Sequence, residues 1–255
     1  MKGQSGASDD QKRIAMLVSE LIRLSERRYE PCCSDFLSES EQALARRELD
    51  FSGHTDYRFF GGYENAQRTV LCVYPPYEEP ADEDFPFTAV NLSFRKTAEL
   101  THRDFLGSLM GLGIKRESVG DIVIGKGVAT FFVKKELASY VSSQLEKVGR
   151  EGVKLADKGV DFASVTQQFE EFSRTVTSLR LDAVVGECTG LSRAKAQQAV
   201  KSGMTAVNAL IADAPDRRIN DGDKISVRGF GKFIIKTDGS LSKKGKIRIT
   251  VFKYL

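Results

Sequence analysis

The chain has 255 residues, 41% of them hydrophobic and 29% charged, which excludes a disordered chain and suffices for two or three folded domains. No apolar run nears the roughly 18 residues that cross a bilayer, and the polar start, residues 1–10, has no hydrophobic signal region, so a cytoplasmic protein without membrane contact is expected. The net charge of +3 hides an asymmetry: residues 174–255 carry 16 Lys or Arg against 7 Asp or Glu, +9, which leaves −6 on the rest and points to a polyanion as partner of the C-terminal end.

In chain order, residues 9–29 form a helix with Ile14, Leu17, Val18, Leu21, Ile22 and Leu24 on one side, stopped at Glu30-Pro31. A capping box, Ser38-x-x-Glu41, opens a second helix. Tyr57 to Phe60 leads into Gly61-Gly62-Tyr63, and Thr69 to Tyr74 is a strand that Pro75-Pro76 ends. The acidic, proline-containing piece from Glu78 to Pro86 marks a domain boundary. Strand Ala89–Phe94, helix Leu100–Leu112, a hairpin of Asp121–Ile124 with Val128–Val133, helix Lys135–Val148 and strand Val153–Ala156 then follow. That βαββαβ order is the ferredoxin-like, or RNA-recognition-motif, plan. Its hairpin partly resembles an RNA-stacking motif, but Val128 and Thr130 stand where rings would meet bases, and Phe131 faces the core.

The cysteines are Cys32, Cys33, Cys72 and Cys188 and the histidines His54 and His102, with no paired spacing for zinc. No metal and no cofactor are expected. Cys72 and Cys188 sit in apolar patterns, as buried thiols do. Cys32-Cys33 after Pro31 is an inert loop pair, with a redox pair as the alternative.

Lys158 to Ser173 has weak periodicity and is taken as a linker that enters a strand through Thr175 to Thr177. Beyond it, Leu181, Val184, Val185 and Cys188 make one buried helical stripe that Gly190 can end. Ser192 can cap a second helix, on which Ala196, Ala199 and Val200 are apolar while Arg193, Gln197 and Lys201 form a polar row. Gly203 ends it. Gly222-Asp223 turns into a strand through Ile225 and Val227, and a basic hairpin follows, with Lys246 and Arg248 on one face and Ile247 and Ile249 on the other.

The order Arg180-Leu181-Asp182, Ser192-Arg193, Gly203, Val207-Asn208, Pro215 and Gly222-Asp223-x-Ile225-x-Val227 resembles the S-four RNA-binding domain. Thr205 stands where that module usually has an aliphatic residue, and Ala209 where a glycine commonly follows the Asn. Four further signatures widen the likeness: Phe36-Leu37-Ser38-x-x-Glu41-Gln42; Gly61-Gly62-Tyr63-x-x-Ala66; His102-Arg103 through Gly111-Leu112-Gly113-Ile114-Lys115-Arg116 to Gly120-Asp121-Ile122; and Arg228-Gly229-Phe230-Gly231 with Lys243-Lys244-Gly245-Lys246. With these, nearly the whole chain resembles the YlmH-like family of bacterial ribosome-associated proteins.

The resemblance implies a non-enzymatic RNA-binder on the large ribosomal subunit carrying a stalled peptidyl-tRNA, in ribosome-associated quality control. Some members are linked to cell division. Implied partners are structured RNA (rRNA and tRNA) and the large subunit; the protein is expected as a monomer. The expected fold class is α+β: an N-terminal domain over 1–82, a ferredoxin-like (RRM-like) domain over 83–157, a linker over 158–173 and an S-four domain over 174–255, two helices with a small sheet and a basic hairpin. The implied RNA contacts are Arg180, Ser192, Arg193, Lys195, Gln198, Lys201 and Asn208, joined by Arg228, Lys243, Lys244, Lys246 and Arg248 of the basic end. Ser192 serves equally well as a cap alone, Asn208 suits a turn, and Arg180 can pair with a nearby carboxylate. His102, Arg103, Lys115 and Arg116 form a possible second patch, or a solvated helix end.

Two rival classes are weighed. An RNA-modifying enzyme needs a site, and Gly125-Lys126-Gly127 has neither P-loop spacing nor the following Ser or Thr. A protein-docking adaptor would use the acidic body and is compatible with RNA binding.

Overall fold

A computed structural model describes residues 3–162 and 169–254, with side chains from residue 9 onward. Contacts divide the chain into two compact units, Ala7–Val165 and Thr166–Leu255. The first begins with α1 (Gly3–Arg28), β1 (Cys32–Leu37), α2 (Glu39–Ser52), β2 (Tyr57–Phe60) and β3 (Thr69–Val73). The strands form an antiparallel sheet in the order β1-β3-β2. Ile14, Val18 and Leu21 of α1 pack with Ala45 and Leu49 of α2 and with Leu71 and Val73 of β3. The α2 capping box is closed: Ser38 accepts the Glu41 N–H, and the Glu41 carboxylate accepts the Ser38 N–H at 2.7 Å.

The same unit continues with β4 (Phe87–Ser93), α3 (His102–Gly111), β5 (Val119–Gly125), β6 (Val128–Lys134), α4 (Lys135–Gln144), β7 (Lys147–Val148), β8 (Glu151–Gly152) and β9 (Lys154–Leu155). A four-stranded antiparallel sheet runs β5-β6-β4-β9, beside the two-stranded β7-β8. One face buries Val90, Leu92, Ala129, Phe131 and Val133 against Phe105 and Leu109 of α3 and Val141 of α4. The opposite face contributes Phe87 and Phe132 to a shared aromatic core with Phe36, Val70, Cys72 and Phe85. The halves divided at residue 82 in the sequence therefore lie within one compact unit. Two glycines let them close: at Gly62, φ +98°, a Cβ would overlap the Phe132 ring, and at Gly120 it would meet the Phe36 ring at 2.6 Å.

Three local expectations change. The helix from Lys135 ends at Gln144 rather than Val148, because Leu145 and Val148 both turn into the core. Cys32 and Cys33 lie in a strand, not a loop, and neighbouring strand residues face opposite ways, so they cannot pair with each other. Cys33 instead meets Cys72 across the β1–β3 ladder and is joined to it as a disulfide, so Cys72 is not a free thiol. Cys32 is buried and free. Finally, β10 starts at Phe169, inside the stretch taken as a linker; residues 163–168 of that stretch lie outside the described residues.

The second unit holds β10 (Phe169–Val176), α5 (Leu181–Thr189), α6 (Arg193–Lys201), β11 (Thr205–Val207), β12 (Leu210–Ile211), β13 (Lys224–Val227), β14 (Gly231–Lys236) and β15 (Ile247–Tyr254). Its antiparallel sheet has the order β10-β15-β14-β13-β11-β12. Leu181, Val184 and Val185 of α5 and Ala196 and Val200 of α6 pack on Val207, Ile225, Val227, Phe233, Ile235, Ile249 and Val251 of one sheet face.

Both departures from the S-four pattern carry a local cost. Thr205 is 1% exposed, and its hydroxyl has no hydrogen-bond partner among the described residues. Asn208 and Ala209 form the β11–β12 turn at φ +50° and +65°, a conformation that costs a side-chain-bearing residue about 1–2 kcal/mol. Thr205→Val should stabilise the second unit by about 1 kcal/mol. Ala209→Gly should add about 0.5–1 kcal/mol, the αL relief less the entropy of glycine. Thermal and denaturant melting of each variant beside the parent reads both effects; a drop in midpoint for either would contradict its assignment.

Candidate nucleic-acid interface

The site grows from the first turn of α5. Asp182 there is fully buried, yet it is a carboxylate. Its Oδ1 accepts Arg180 Nε at 3.1 Å and the Ala183 N–H at 2.9 Å. Its Oδ2 accepts Arg180 Nη2 at 3.2 Å and Gln197 Nε2 at 2.8 Å, and Arg193 Nε stands 3.7 Å away. One carboxylate thus ties the start of α5 to the first turns of α6. The backbone holds the same place: Leu181 N–H donates to Arg217 O at 2.8 Å and Asp182 N–H to Pro215 O at 3.0 Å.

Burial pushes the Asp182 pKa up, but the bonds from Arg180 and Gln197 and the charges of Arg180 and Arg193 outweigh it and hold the carboxyl below its usual range. The two arginines keep their outer edges in solvent, with side chains 39% and 59% exposed. Gly190, φ +73°, ends α5, and Ser192 caps α6 by accepting the Lys195 N–H.

Each residue singled out in the sequence has a definite place. Arg193 and Lys201 lie on one exposed side of α6, with Gln197 between them turned toward Asp182. Lys195 and Gln198 are exposed farther round the helix, at about 100° per residue. Asn208 is exposed but bound: its Nδ2 donates to Asp223 Oδ1 at 2.8 Å, and its Oδ1 accepts the Lys224 N–H at 2.9 Å. Arg228 is exposed at the β13–β14 turn, and its N–H donates to Met204 O at 2.9 Å, just beyond the end of α6. Lys243, Lys244 and Lys246 sit exposed in the loop before β15, and Arg248 opens the exposed face of that strand.

Arg193 and Lys246 line one groove of about 700 Å³ with Asp182, Arg174 and Lys253. Arg248 lines a second, of about 950 Å³, with Arg174 and Lys236. Arg174, Lys253, Gln197 and Asp182 were not among the sequence candidates. Arg174 rests over the Phe172 ring at 4.6 Å, as i and i+2 on a strand do. The alternation Phe172, Arg174, Val176 is the signal that could have found it. Cys188 also borders the first groove; burial pushes its pKa up to about 12, so it stays a thiol at neutral pH.

The second patch divides. His102, Arg103 and Lys115 are exposed. His102 has its pKa lowered, first by burial and then by the Arg116 charge, against Asp121. Arg116 turns inward and donates to Val119 O at 2.6 Å and Gly120 O at 3.2 Å. Burial, and next the Arg68 charge, lower its pKa to about 10. It is engaged with carbonyls of its own unit.

Residues 80–161 match the family model described as "Putative RNA-binding domain in YlmH". The chain is 32% identical over 245 residues to a Bacillus subtilis (strain 168) protein named ribosome-associated protein quality control protein P2, with 94% of each covered. A solved structure, cell division protein ylmH from Streptococcus pneumoniae, is similar in fold at a TM-score of 0.50 and 23% identity, over 60% of this chain and 93% of that one.

The Asp182 linkage has a sign that can be checked. Its folded pKa is depressed, so its stabilising contribution is complete above the unfolded value of about 3.9 and is lost as pH falls through the lower folded value. Asp182→Asn should cost the second unit about 1–3 kcal/mol at neutral pH. The gap between parent and variant should narrow below about pH 4. Melting curves from pH 6 down to pH 2.5 test this; a gap that stays constant would remove the charge from the account.

Proposed function

Because the chain belongs to the YlmH-like family, we propose that it binds structured RNA on the large ribosomal subunit, rRNA, peptidyl-tRNA or both, in quality control of stalled translation, and that it does so without catalysis. The observation that carries this is the pair of arginines held outward by the buried Asp182, with Lys246 lining the same groove as Arg193 and exposed Lys201 two turns along α6. Helical RNA offers phosphates and 2′-hydroxyls rather than readable base edges, so a fixed cationic edge suits it. Arg193 can grip a phosphate with two N–H groups, while Lys201 supplies a point charge. The name of the Bacillus subtilis relative supports the ribosomal setting.

In this proposal the second unit is an S-four-type module, α5 and α6 on a small sheet, that begins with β10. The strand order β5-β6-β4-β9 supports a ferredoxin-like plan for the middle region, and the match over residues 80–161 supports a share in RNA contact there, with His102, Arg103 and Lys115 as its exposed cations. Ser192 caps α6 and Asn208 fixes a turn, so their contribution to RNA is through the shape of the module.

Arg193 and Lys201 are two turns apart, about 12 Å at 1.5 Å per residue, and so reach different phosphates. Arg193→Ala should lower co-sedimentation with large subunits several-fold, and adding Lys201→Ala should lower it further, close to additively. Arg193→Lys should recover part of the loss. Arg180 and Gln197 still hold Asp182 in these variants, so the stability read by thermal melting should change by less than about 1 kcal/mol. Unchanged sedimentation of the double variant would sink the assignment. With an assumed four to six phosphate contacts on helical RNA, the logarithm of affinity should fall against the logarithm of salt with a slope of about −4 to −5. A flat dependence would exclude phosphate gripping.

A further inference from the structure

Only one face of the six-stranded sheet is covered by helices α5 and α6. Side chains alternate along a strand, so β14, β15 and β10 present a second set on the outer face. Ile234, Phe252, Tyr254 and Phe169 lie there, and none belongs to the core beneath α5 and α6. Ile234 pairs directly with Phe252, and Phe169 directly with Tyr254. The Phe169 ring is 4.9 Å from Tyr254 and 6.1 Å from Phe252, edge-on to both. These four make a continuous apolar stripe across three strands, and Phe169 is 39% exposed. Aromatic side chains concentrated on an open sheet face mark a contact surface.

The charge on that face is one-sided. Lys224, Lys232, Lys236 and Arg248 share it, and Glu171 is the one acidic strand residue on it. Lys236 is paired at 3.5 Å with exposed Asp221, and the Lys232 ammonium lies 5.3 Å from the Tyr254 ring centroid. Lys232 and Lys236 flank Ile234 along β14, about 13 Å apart at 3.3 Å per residue. Rings interleaved with cations are what an unpaired strand needs: bases stack on the rings and phosphates meet the cations. A duplex cannot use the rings, because its bases are already stacked.

We propose that this outer sheet face is a stacking platform for an unpaired RNA segment, separate from the helical edge that faces structured RNA. The proposal rests on the RNA-binding function proposed above but uses the opposite surface of the same module. Charge decides the occupant: four cations against the two carboxylates of Glu171 and Asp221, around a partly exposed ring cluster, fit a single-stranded polyanion better than an uncharged protein surface.

The test uses the full chain and two probes, a ten-nucleotide oligouridine with a central 2-aminopurine and an RNA hairpin. Phe252→Leu with Tyr254→Leu keeps apolar volume and removes the rings; Lys224→Glu keeps the rings and removes a cation. Binding of the oligonucleotide by the parent should quench 2-aminopurine fluorescence. The double Leu variant should bind it at least ten-fold more weakly and lose the quench, with hairpin affinity retained. Lys224→Glu, an exposed change that leaves the core alone, should weaken the oligonucleotide several-fold even if the double variant folds poorly. Arg193→Ala with Lys201→Ala should chiefly reduce hairpin binding. If the parent binds the hairpin but not the oligonucleotide, or if both platform variants bind it normally, the platform is overturned while the helical edge stands. Self-association of the parent that the Leu changes abolish, without oligonucleotide binding, makes the face a protein interface and overturns it too. If neither probe binds, the RNA function itself fails.

Discussion

The buried carboxylate of Asp182 is the interaction on which the C-terminal module depends. A charged group without solvent is expensive unless its oxygens are filled, and here both are. Filling them takes groups from three places: the residue before α5, the first turn of α5, and α6. The register between the two helices follows from that requirement, because Gln197 and Arg193 reach Asp182 only at one rotation of α6. Satisfying the carboxylate also presets the arginines. A free Arg would lose rotamer freedom on meeting a phosphate, whereas Arg180 is already held at two nitrogens with its outer edge exposed.

The N-terminal unit uses half-buried charge in the opposite sense, as cations that bind its own backbone. Arg68 donates to Phe36 O at 2.8 Å and Val119 O at 3.0 Å, so one guanidinium joins the two sheets. Asp121 returns from the second sheet to accept the Gln67 and Arg68 N–H groups and the Tyr63 hydroxyl. These polar ties ring the aromatic core of Phe36, Phe85, Phe87 and Phe132. A core of large rings fixes volume but tolerates sliding; directed hydrogen bonds at its edge fix the position of one sheet on the other. That explains why Arg116, a surface cation by sequence pattern, is turned inward.

What the sequence disclosed follows the range of the interactions. Capping is local, so Ser38 with Glu41, Ser192 and Gly190 were legible, and so was the alternation of Arg248 with Ile249. Only the end of β10 was legible, as a strand through Thr175 to Thr177, because the rest of its residues are mostly exposed and only Val176 is buried; an edge strand leaves little hydrophobic period to read. The overrun of α4 has a similar cause: Val141, Leu145 and Val148 fit the spacing of a helix, and the chain buries all three by leaving the helix instead. The Cys33–Cys72 contact and the inward turn of Arg116 join residues far apart in sequence, and no local pattern carries them. Arg180, Asp182 and Arg193 were recognised as marks of a motif, but the hub that joins them exists only once two helices are packed.

Charge in the second unit is sorted by task. Of its acidic residues, Asp182 and Asp223 are buried and hold a helix start and a turn. Asp221 accepts the Thr237 N–H at 2.7 Å and Asp238 the Ser240 N–H at 2.8 Å. Backbone bonds lead the causes that lower the pKa of both. Four of the nine carboxylates over residues 166–255 are thus occupied in bracing the chain, two of them out of solvent, while the lysines and arginines stay at the surface. Residues 166–255 carry 16 Lys or Arg against nine Asp or Glu, +7, and with Asp182 and Asp223 buried the groups that face an approaching polyanion are still more one-sided. The solvent-facing groups become more one-sided in charge than the sequence because folding takes two of its acids inside as hydrogen-bond acceptors, and that conversion requires the fold to form first.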